Sequence, residues 1–322
     1  MGAIPKGQEE LVAAFREGKI GALARAISRV EEGREEAFSL LETLQAPDAD
    51  CWRTGITGPP GAGKSTLAAA LARAWSEEGR RTALLAVDPS SEVTGGALLG
   101  DRIRMASALE SDGVFVRSMA SRGSLGGLGQ AVGAAADLCA SFGFHEVLLE
   151  TVGVGQAETD VASQADLVVV VLHPRSGDGI QAMKAGLLET ADLLLVNKSD
   201  TQGAEATARD LEGALDLVED ASSRPRVLCC SALDGGGMGE VLGALESLRE
   251  NLSEGGALED RRMARSLARA QCMVGDGLRR RAWAEGGLEA RTRRLLDEGV
   301  LSDRAAGEVL EGALARLAEV PS

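Results

Sequence analysis

The sequence predicts an α/β fold, a largely parallel, doubly wound sheet flanked by N-terminal and C-terminal helical extensions, on three observations. Seven apolar runs, at residues 51–57, 82–87, 113–119, 146–151, 166–173, 192–197 and 226–232, are mostly continuous rather than alternating, as strands buried on both faces of a parallel sheet require. Between them lie Ala-rich helical stretches, among them 127–140, 180–191, 204–218 and 238–251. Repeated strand and helix alternation is the pattern of a doubly wound domain. The third observation is the loop Gly58-Pro59-Pro60-Gly61-Ala62-Gly63-Lys64-Ser65, which fits G-x-x-x-x-G-K-S/T at every fixed position and places the domain among the P-loop NTPases.

Taken in order, residues 1–47 form the first extension. Within 8–45 no strand-like run occurs, while Leu11 and Phe15, then Leu23, Ile27 and Val30, recur at helical spacing with charges between them. Residues 48–252 carry the NTPase domain, and its first elements are a strand at 51–57, the glycine-rich loop and an Ala/Leu-rich helix at 66–75. That is the order the loop motif needs. From 253 to 322 the chain is again helical, with Met263, Leu267, Val274 and Leu278 on one stripe and Leu295, Leu296, Val309, Leu310, Leu314 and Leu317 later. These stripes need a surface to cover them, either the α/β domain or a second copy of the chain, so this segment is a candidate dimerisation arm. The eleven arginines between Arg261 and Arg304 read as a solvated or acid-paired helix face rather than a nucleic-acid site.

At 322 residues the chain has room for one nucleotide-binding domain plus about a third more. The apolar share of 44% supports a core, but aromatics are 2% with no Tyr, which leaves few rings for nucleobase stacking. A net charge of −15 disfavours nucleic acid and acidic membranes as partners. Cys51, Cys139, Cys229, Cys230 and Cys272 form no C-x-x-C pair and sit mostly in apolar runs, as buried thiols of a reducing compartment do. His145 and His173 have no ligand partner at metal-binding spacing. Residues 1–15 lack the apolar core of a signal peptide, and the Met-Gly start lacks Ser or Thr at position 6, against myristoylation. The longest apolar stretch, 167–172, is too short to span a bilayer. The expectation is a cytoplasmic protein.

The chemistry begins at the loop. Its glycines let successive backbone N–H groups curl toward phosphate oxygens, and the following helix presents the positive end of its dipole. The stretch Gly58, Pro59, Pro60, Gly61, Ala62, Gly63, Lys64, Ser65 and Thr66 is therefore assigned to a nucleoside triphosphate, with Lys64 on the β- and γ-phosphates and Ser65 on Mg²⁺. After the sixth strand, Asn197-Lys198-Ser199-Asp200 matches the base-reading N-K-x-D signature of G proteins. A carboxylate only accepts, and guanine presents two donors, N1–H and the N2 amine, on one edge. Asp200 pairs with both, whereas adenine would leave it poorly paired. Asn197 and Lys198 brace the loop and cover the ring. Ser231-Ala232-Leu233, at the end of the last strand, offers a backbone amide near guanine O6. These residues make the ligand GTP or GDP.

Glu150-Thr151-Val152-Gly153 closes the fourth strand, where the carboxylate approaches Mg²⁺ through water and the mobile Gly153 approaches the γ-phosphate. A Ras-like G protein has Asp here and a catalytic Gln directly after the Gly; this chain has Val154, and its nearest Gln is Gln156. Intrinsic hydrolysis is therefore expected to be slow and raised by a partner. Asp88 and Asp101 are candidate metal-linked or water-orienting carboxylates, and equally helix caps or turn residues.

Together GPPGAGKST, AVDPSSEVTGGALLGDRIRM, RGSLGGL, ETVGVGQAETD and NKSD resemble the MeaB/ArgK family of G proteins, whose human relative is the methylmalonic aciduria type A protein. The resemblance runs from about residue 10 to 250 and is weaker beyond. It implies a GTPase that chaperones an adenosylcobalamin-dependent acyl-CoA mutase, chiefly methylmalonyl-CoA mutase, gating cofactor loading and protecting the enzyme. It also implies a homodimer formed through the C-terminal helices. By position it makes Lys64, Asp88, Asp101 and Glu150 catalytic, links Ser65, Asp88, Asp101 and Glu150 to Mg²⁺, and adds Gly153, Gln156, Asp178 and Lys184 as switch residues. Within 173–184 the family usually reads P-G-A-G-D-E-L-Q, and this chain has Arg175 and Gly179 where the pattern has Gly and Glu. Three other readings remain: a nickel-insertion metallochaperone GTPase, for which the chain lacks a Cys/His cluster; a periplasmic-transport ATPase or kinase, whose adenine preference Asp200 argues against; and a GTP-dependent binding switch with negligible turnover.

Overall fold

The computed structural model describes residues 8–32, 35–44, 51–88, 113–120, 127–151, 162–174, 190–216, 224–280, 288–298, 307 and 309. Seven strands follow one another along the chain: β1 (Trp52–Thr57), β2 (Thr82–Asp88), β3 (Val114–Ala120), β4 (Glu146–Thr151), β5 (Leu167–Leu172), β6 (Leu193–Val196) and β7 (Arg226–Cys229). They form one sheet in the order β3-β2-β4-β1-β5-β6-β7, and every adjacent pair is parallel. The helices are α1 (Glu9–Arg16), α2 (Ile20–Glu31), α3 (Glu35–Leu44), α4 (Lys64–Glu77), α5 (Gly127–Ser141), α6 (Ala204–Leu215), α7 (Met238–Glu254), α8 (Ala257–Arg280) and α9 (Leu288–Asp297).

The continuous apolar strands are explained by layers on both faces of the sheet. Because successive side chains alternate across a strand, Leu84, Ala86, Val169, Val171, Leu193 and Leu195 pack against Leu67, Leu71 and Trp75 of α4 and Val241 and Leu245 of α7. Their neighbours Ala83, Leu85 and Val87 turn the other way, onto α5 and the N-terminal helices. Val168, Val170, Leu172, Leu194 and Val196 face α6 through Leu211 and Leu215. Leu11, Phe15, Leu23, Ile27 and Val30, the predicted helical stripe, are buried in the same cluster as α5, so the first extension covers the α/β sheet.

Six predicted strands fall within a residue of their observed limits. The seventh ends three residues early because the Cys230 carbonyl accepts from Ser199 N–H at 3.0 Å and Ser231 N–H donates to Gly236 O at 2.8 Å, turning the chain out of the sheet. The helix expected at 180–191 lies largely outside the described residues. The chain divides into two compact units, Met1–Arg265 and Ser266–Ser322. Along α8, Met263, Leu267 and Val274 are exposed. Cys272 on the same helix is exposed as well, a correction to the expectation of buried thiols; Cys51, Cys139 and Cys230 are buried. Among the described residues no helix is long and apolar enough to cross a membrane.

Candidate functional site

From β1 the chain crosses β4 to reach β2, whereas from β5 it passes outward to β6. The strand order therefore reverses at the β1/β5 boundary, and open α/β sheets bind ligands outside the carboxyl ends of the strands at such a point. The glycine-rich loop leaves β1 there. Gly58 has φ +133°, and a Cβ on it would collide with the Val171 carbonyl of β5; Gly63 has φ +91°, and a Cβ would collide with the Asn197 amide. Both positions need a residue without a side chain, for conformation and for space. The loop is thereby pressed against β5 on one side and the end of β6 on the other.

Lys64 is the first residue of α4 and is buried; its Nζ donates to the Gly58 carbonyl at 2.6 Å and the Pro59 carbonyl at 3.1 Å. An ammonium group thus lies over the loop at the N-terminus of a 14-residue helix, and both features favour an anion. The next residue, Ser65, donates its hydroxyl to Glu150 Oε1 at 2.5 Å. Glu150, at the penultimate position of β4, is buried beside it. A hydroxyl and a carboxylate oxygen at one point are hard donors suited to Mg²⁺. Thr66 is exposed on the first turn.

Asn197 follows β6 and joins three segments. Only 2% exposed, it donates from Nδ2 to the Ala62 carbonyl at 2.9 Å and the Gly63 carbonyl at 3.4 Å. Its Oδ1 accepts from Ala232 N–H at 3.0 Å and from the Cys230 thiol at 3.8 Å. Burial pushes the Cys230 thiol up to about 12, so it stays protonated and keeps its weak donor. Lys198 is the single non-glycine residue with positive φ among the described residues, at +60°. Its Nζ donates to the Gly61 carbonyl at 2.6 Å, giving the 197–200 loop a second grip on the glycine-rich loop. Asp200 is exposed and accepts from Ser231 Oγ through one carboxylate oxygen at 2.9 Å. Leu233 is 86% exposed at the tip of its turn.

The structure brings together the residues expected from 58–66, Glu150, 197–200 and 231–233. Asp88 closes β2 with its backbone in register with Ala120; its side chain lies outside the described residues, as do Asp101, Gly153, Gln156, Asp178 and Lys184. Sequence reasoning placed a backbone amide of Ser231-Ala232-Leu233 near guanine O6; within that stretch the Ala232 N–H donates to Asn197 Oδ1. It did not anticipate the Cys230 thiol beneath Asn197 or the reach of Lys198 to Gly61, which no local pattern announces.

The family model of the methylmalonyl Co-A mutase-associated GTPase MeaB matches residues 23–287. The chain belongs to the MeaB family. A putative GTPase of Pyrococcus abyssi is 42% identical to this MeaB family member over 261 residues, covering 80% of the chain and 81% of the relative. GTPase ArgK of Escherichia coli K12 is 38% identical over 267 residues, covering 80% and 81%. Among solved structures, an LAO/AO transport system kinase superposes with a TM-score of 0.71 at 27% identity, covering 96% of this chain and 99% of that one. The MeaB family member is thus a GTPase with the P-loop α/β fold, and a GTPase binds a guanine nucleotide.

Proposed function

We propose that the chain is a GTP-hydrolysing chaperone that gates adenosylcobalamin loading and protection of a B12-dependent acyl-CoA mutase, methylmalonyl-CoA mutase or a related enzyme. The observation that carries the nucleotide part is the Asn197 side chain, which holds the phosphate-binding and base-reading loops in one hydrogen-bonded unit. The mutase part rests on the family, named for its association with methylmalonyl Co-A mutase. Lys64 turns its ammonium onto the β- and γ-phosphates, the loop N–H groups hold their oxygens, and Asp200 reads guanine while Ser231 fixes the carboxylate. Ser65 and Glu150 would hold Mg²⁺, with Asp88 and Asp101 as further carboxylates; when bound, the ion neutralises charge on the transferring phosphoryl. Catalysis by the chain is then positioning and electrostatic stabilisation.

With Val154 where a water-orienting Gln is expected, turnover is slow in isolation and raised by the mutase through residues 173–184, including Asp178 and Lys184. Residues 48–252 are the GTPase domain, 1–47 its N-terminal helical cover and 253–322 a dimerisation arm. Exposed Met263, Leu267 and Val274 on α8 support a homodimer, and the buried Cys51, Cys139 and Cys230, none of them in a disulfide, support a cytoplasmic setting. The test is GTP and ATP hydrolysis measured with and without methylmalonyl-CoA mutase. Slow, guanine-selective turnover that rises with the mutase is expected; turnover indifferent to the mutase, with no complex in either nucleotide state, would defeat the chaperone reading.

A further inference from the structure

At the end of the sheet opposite the nucleotide loops, Asp166 is fully buried just ahead of β5. Its carboxylate accepts from Arg53 N–H of β1 at 2.9 Å, from Arg265 at 2.7 Å and from Arg262 through two contacts of 3.3 Å. Arg262 also donates to the Cys51 carbonyl at 2.8 Å. Arg261 donates to the Asp166 carbonyl at 2.8 Å and forks onto Asp192, before β6, at 2.7 and 3.0 Å. Asp192 in turn accepts from Val168 N–H of β5 at 2.8 Å. Burial raises the Asp166 pKa, but the charges of Arg265 and Arg262 outweigh it and hold the carboxyl below its ordinary value. Burial, together with the neighbouring Arg53 charge, lowers that of Arg265.

All three arginines lie in the first turns of α8, and the first compact unit of the chain ends at Arg265. They fasten the N-terminal ends of three strands, β1, β5 and β6. The C-terminal ends of the same strands lead into the phosphate-binding loop, residues 173–184 and the 197–200 loop. There the strands are joined again, by Gly58 against the Val171 carbonyl and by Asn197 on the Ala62 carbonyl. Strands of six, six and four residues span only about 13–20 Å at roughly 3.3 Å per residue. Close-packed on both faces, they transmit a shift at one end instead of absorbing it.

We propose that Asp166 is a remote positioning residue for guanine-nucleotide binding, acting with Arg262 and Arg265 to hold β1 and β5, and through Arg261 on Asp192 to hold β6, in the alignment that the phosphate and guanine loops require. This rests on the reading of those loops as the GTP site. No residue of the clamp touches nucleotide; its effect runs through strand alignment.

The test uses the full chain and N-methylanthraniloyl-GDP as probe, with KM and kcat for GTP and the thermal midpoint measured in parallel. Asp166→Asn keeps the shape and removes the charge; the double variant Arg262→Gln/Arg265→Gln removes the two cations on the Asp166 carboxylate and leaves the Arg53 N–H and Arg261 contacts, and carries the test alone if Asp166→Asn does not fold. Glu31→Gln, which breaks the Arg117–Glu31 pair between β3 and α2, is the control. The clamp variants are expected to bind the probe more weakly by on the order of 2- to 30-fold, as remote coupling does, with KM raised more than kcat is lowered. The control lowers the midpoint and leaves affinity unchanged. Folded clamp variants that are less stable but bind the probe as the unsubstituted protein does overturn the proposal. An unsubstituted protein that binds no guanine nucleotide overturns the site reading itself, and the proposal with it.

Discussion

Replacing Asn197 by Ala tests whether one buried amide unites the two nucleotide loops. The side chain is 2% exposed, so its removal leaves the Ala62 carbonyl and the Ala232 N–H, now bonded at 2.9 and 3.0 Å, facing a cavity. A buried polar group left unmade costs about 1–3 kcal/mol, and two cost about 2–6 kcal/mol. Water entering the cavity removes part of that cost, so a loss of about 2–4 kcal/mol is expected. At roughly 2–4 °C per kcal/mol for a domain of this size, the thermal midpoint falls by about 4–16 °C. GDP affinity falls as well, by about 10- to 100-fold if 1.4–2.8 kcal/mol of the loss is expressed in binding. Asn197→Asp is sharper: it keeps an acceptor for Ala232 but turns an oxygen toward the Ala62 carbonyl and buries a charge, so despite its shape it should lose at least as much as Ala. Thermal melts with and without GDP, and calorimetric titration of GDP, measure both effects. Unchanged midpoint and affinity in Asn197→Ala would refute the bridge; Asn197→Asp outperforming Ala would mean that the Nδ2 bond to the Ala62 carbonyl contributes little and the Ala232 contact carries the bridge.

Three further outcomes follow from the same geometry. Lys64→Ala removes the ammonium above the loop and should weaken GTP and GDP binding by about 100-fold or more, roughly 3 kcal/mol of charge-assisted hydrogen bonding, with the circular dichroism spectrum retained; undiminished binding in a titration would contradict the role given to Lys64. Asp200→Asn should lose guanine binding by about 10- to 100-fold and gain xanthine binding, because the new amide donates to the xanthine C2 carbonyl; competition between GDP and XDP reads this, and unaltered GDP preference counts against base reading by Asp200. Because Asp166 has its pKa lowered in the fold, its stabilising contribution is complete above the unfolded value of about 3.9 and is lost as pH falls through the lower folded value. Urea unfolding below pH 4 should therefore show a shallower acid loss in Asp166→Asn than in the unsubstituted chain, and identical acid limbs would contradict the clamp.

Much of the fold was written in consecutive residues. Val168 to Leu172 is apolar without alternation, as a strand covered on both faces is, and Gly58 and Gly63 mark backbone positions where the neighbouring Val171 and Asn197 exclude a Cβ. The limits of β7 were not legible, because the bond from Ser199 N–H to the Cys230 carbonyl that ends it comes from another loop. The arginines of 261–265 looked like any solvated helix face until Asp166 was placed beneath them.

By itself, then, the sequence determined where the strands and most of the helices lie, that a G-x-x-x-x-G-K-S loop follows the first strand, and that an N-K-x-D motif follows the sixth. These properties depend on local spacing: period, glycine placement and short motifs. The tertiary structure alone decided that the Asn197 amide lies between Ala62, 135 residues away, and Ala232. It alone also brought Arg265, 99 residues from Asp166 in the chain, onto that carboxylate. Such pairs depend on strand order and on the side of the sheet each helix takes, and hydrophobic periodicity is the same for every strand order that buries the same faces.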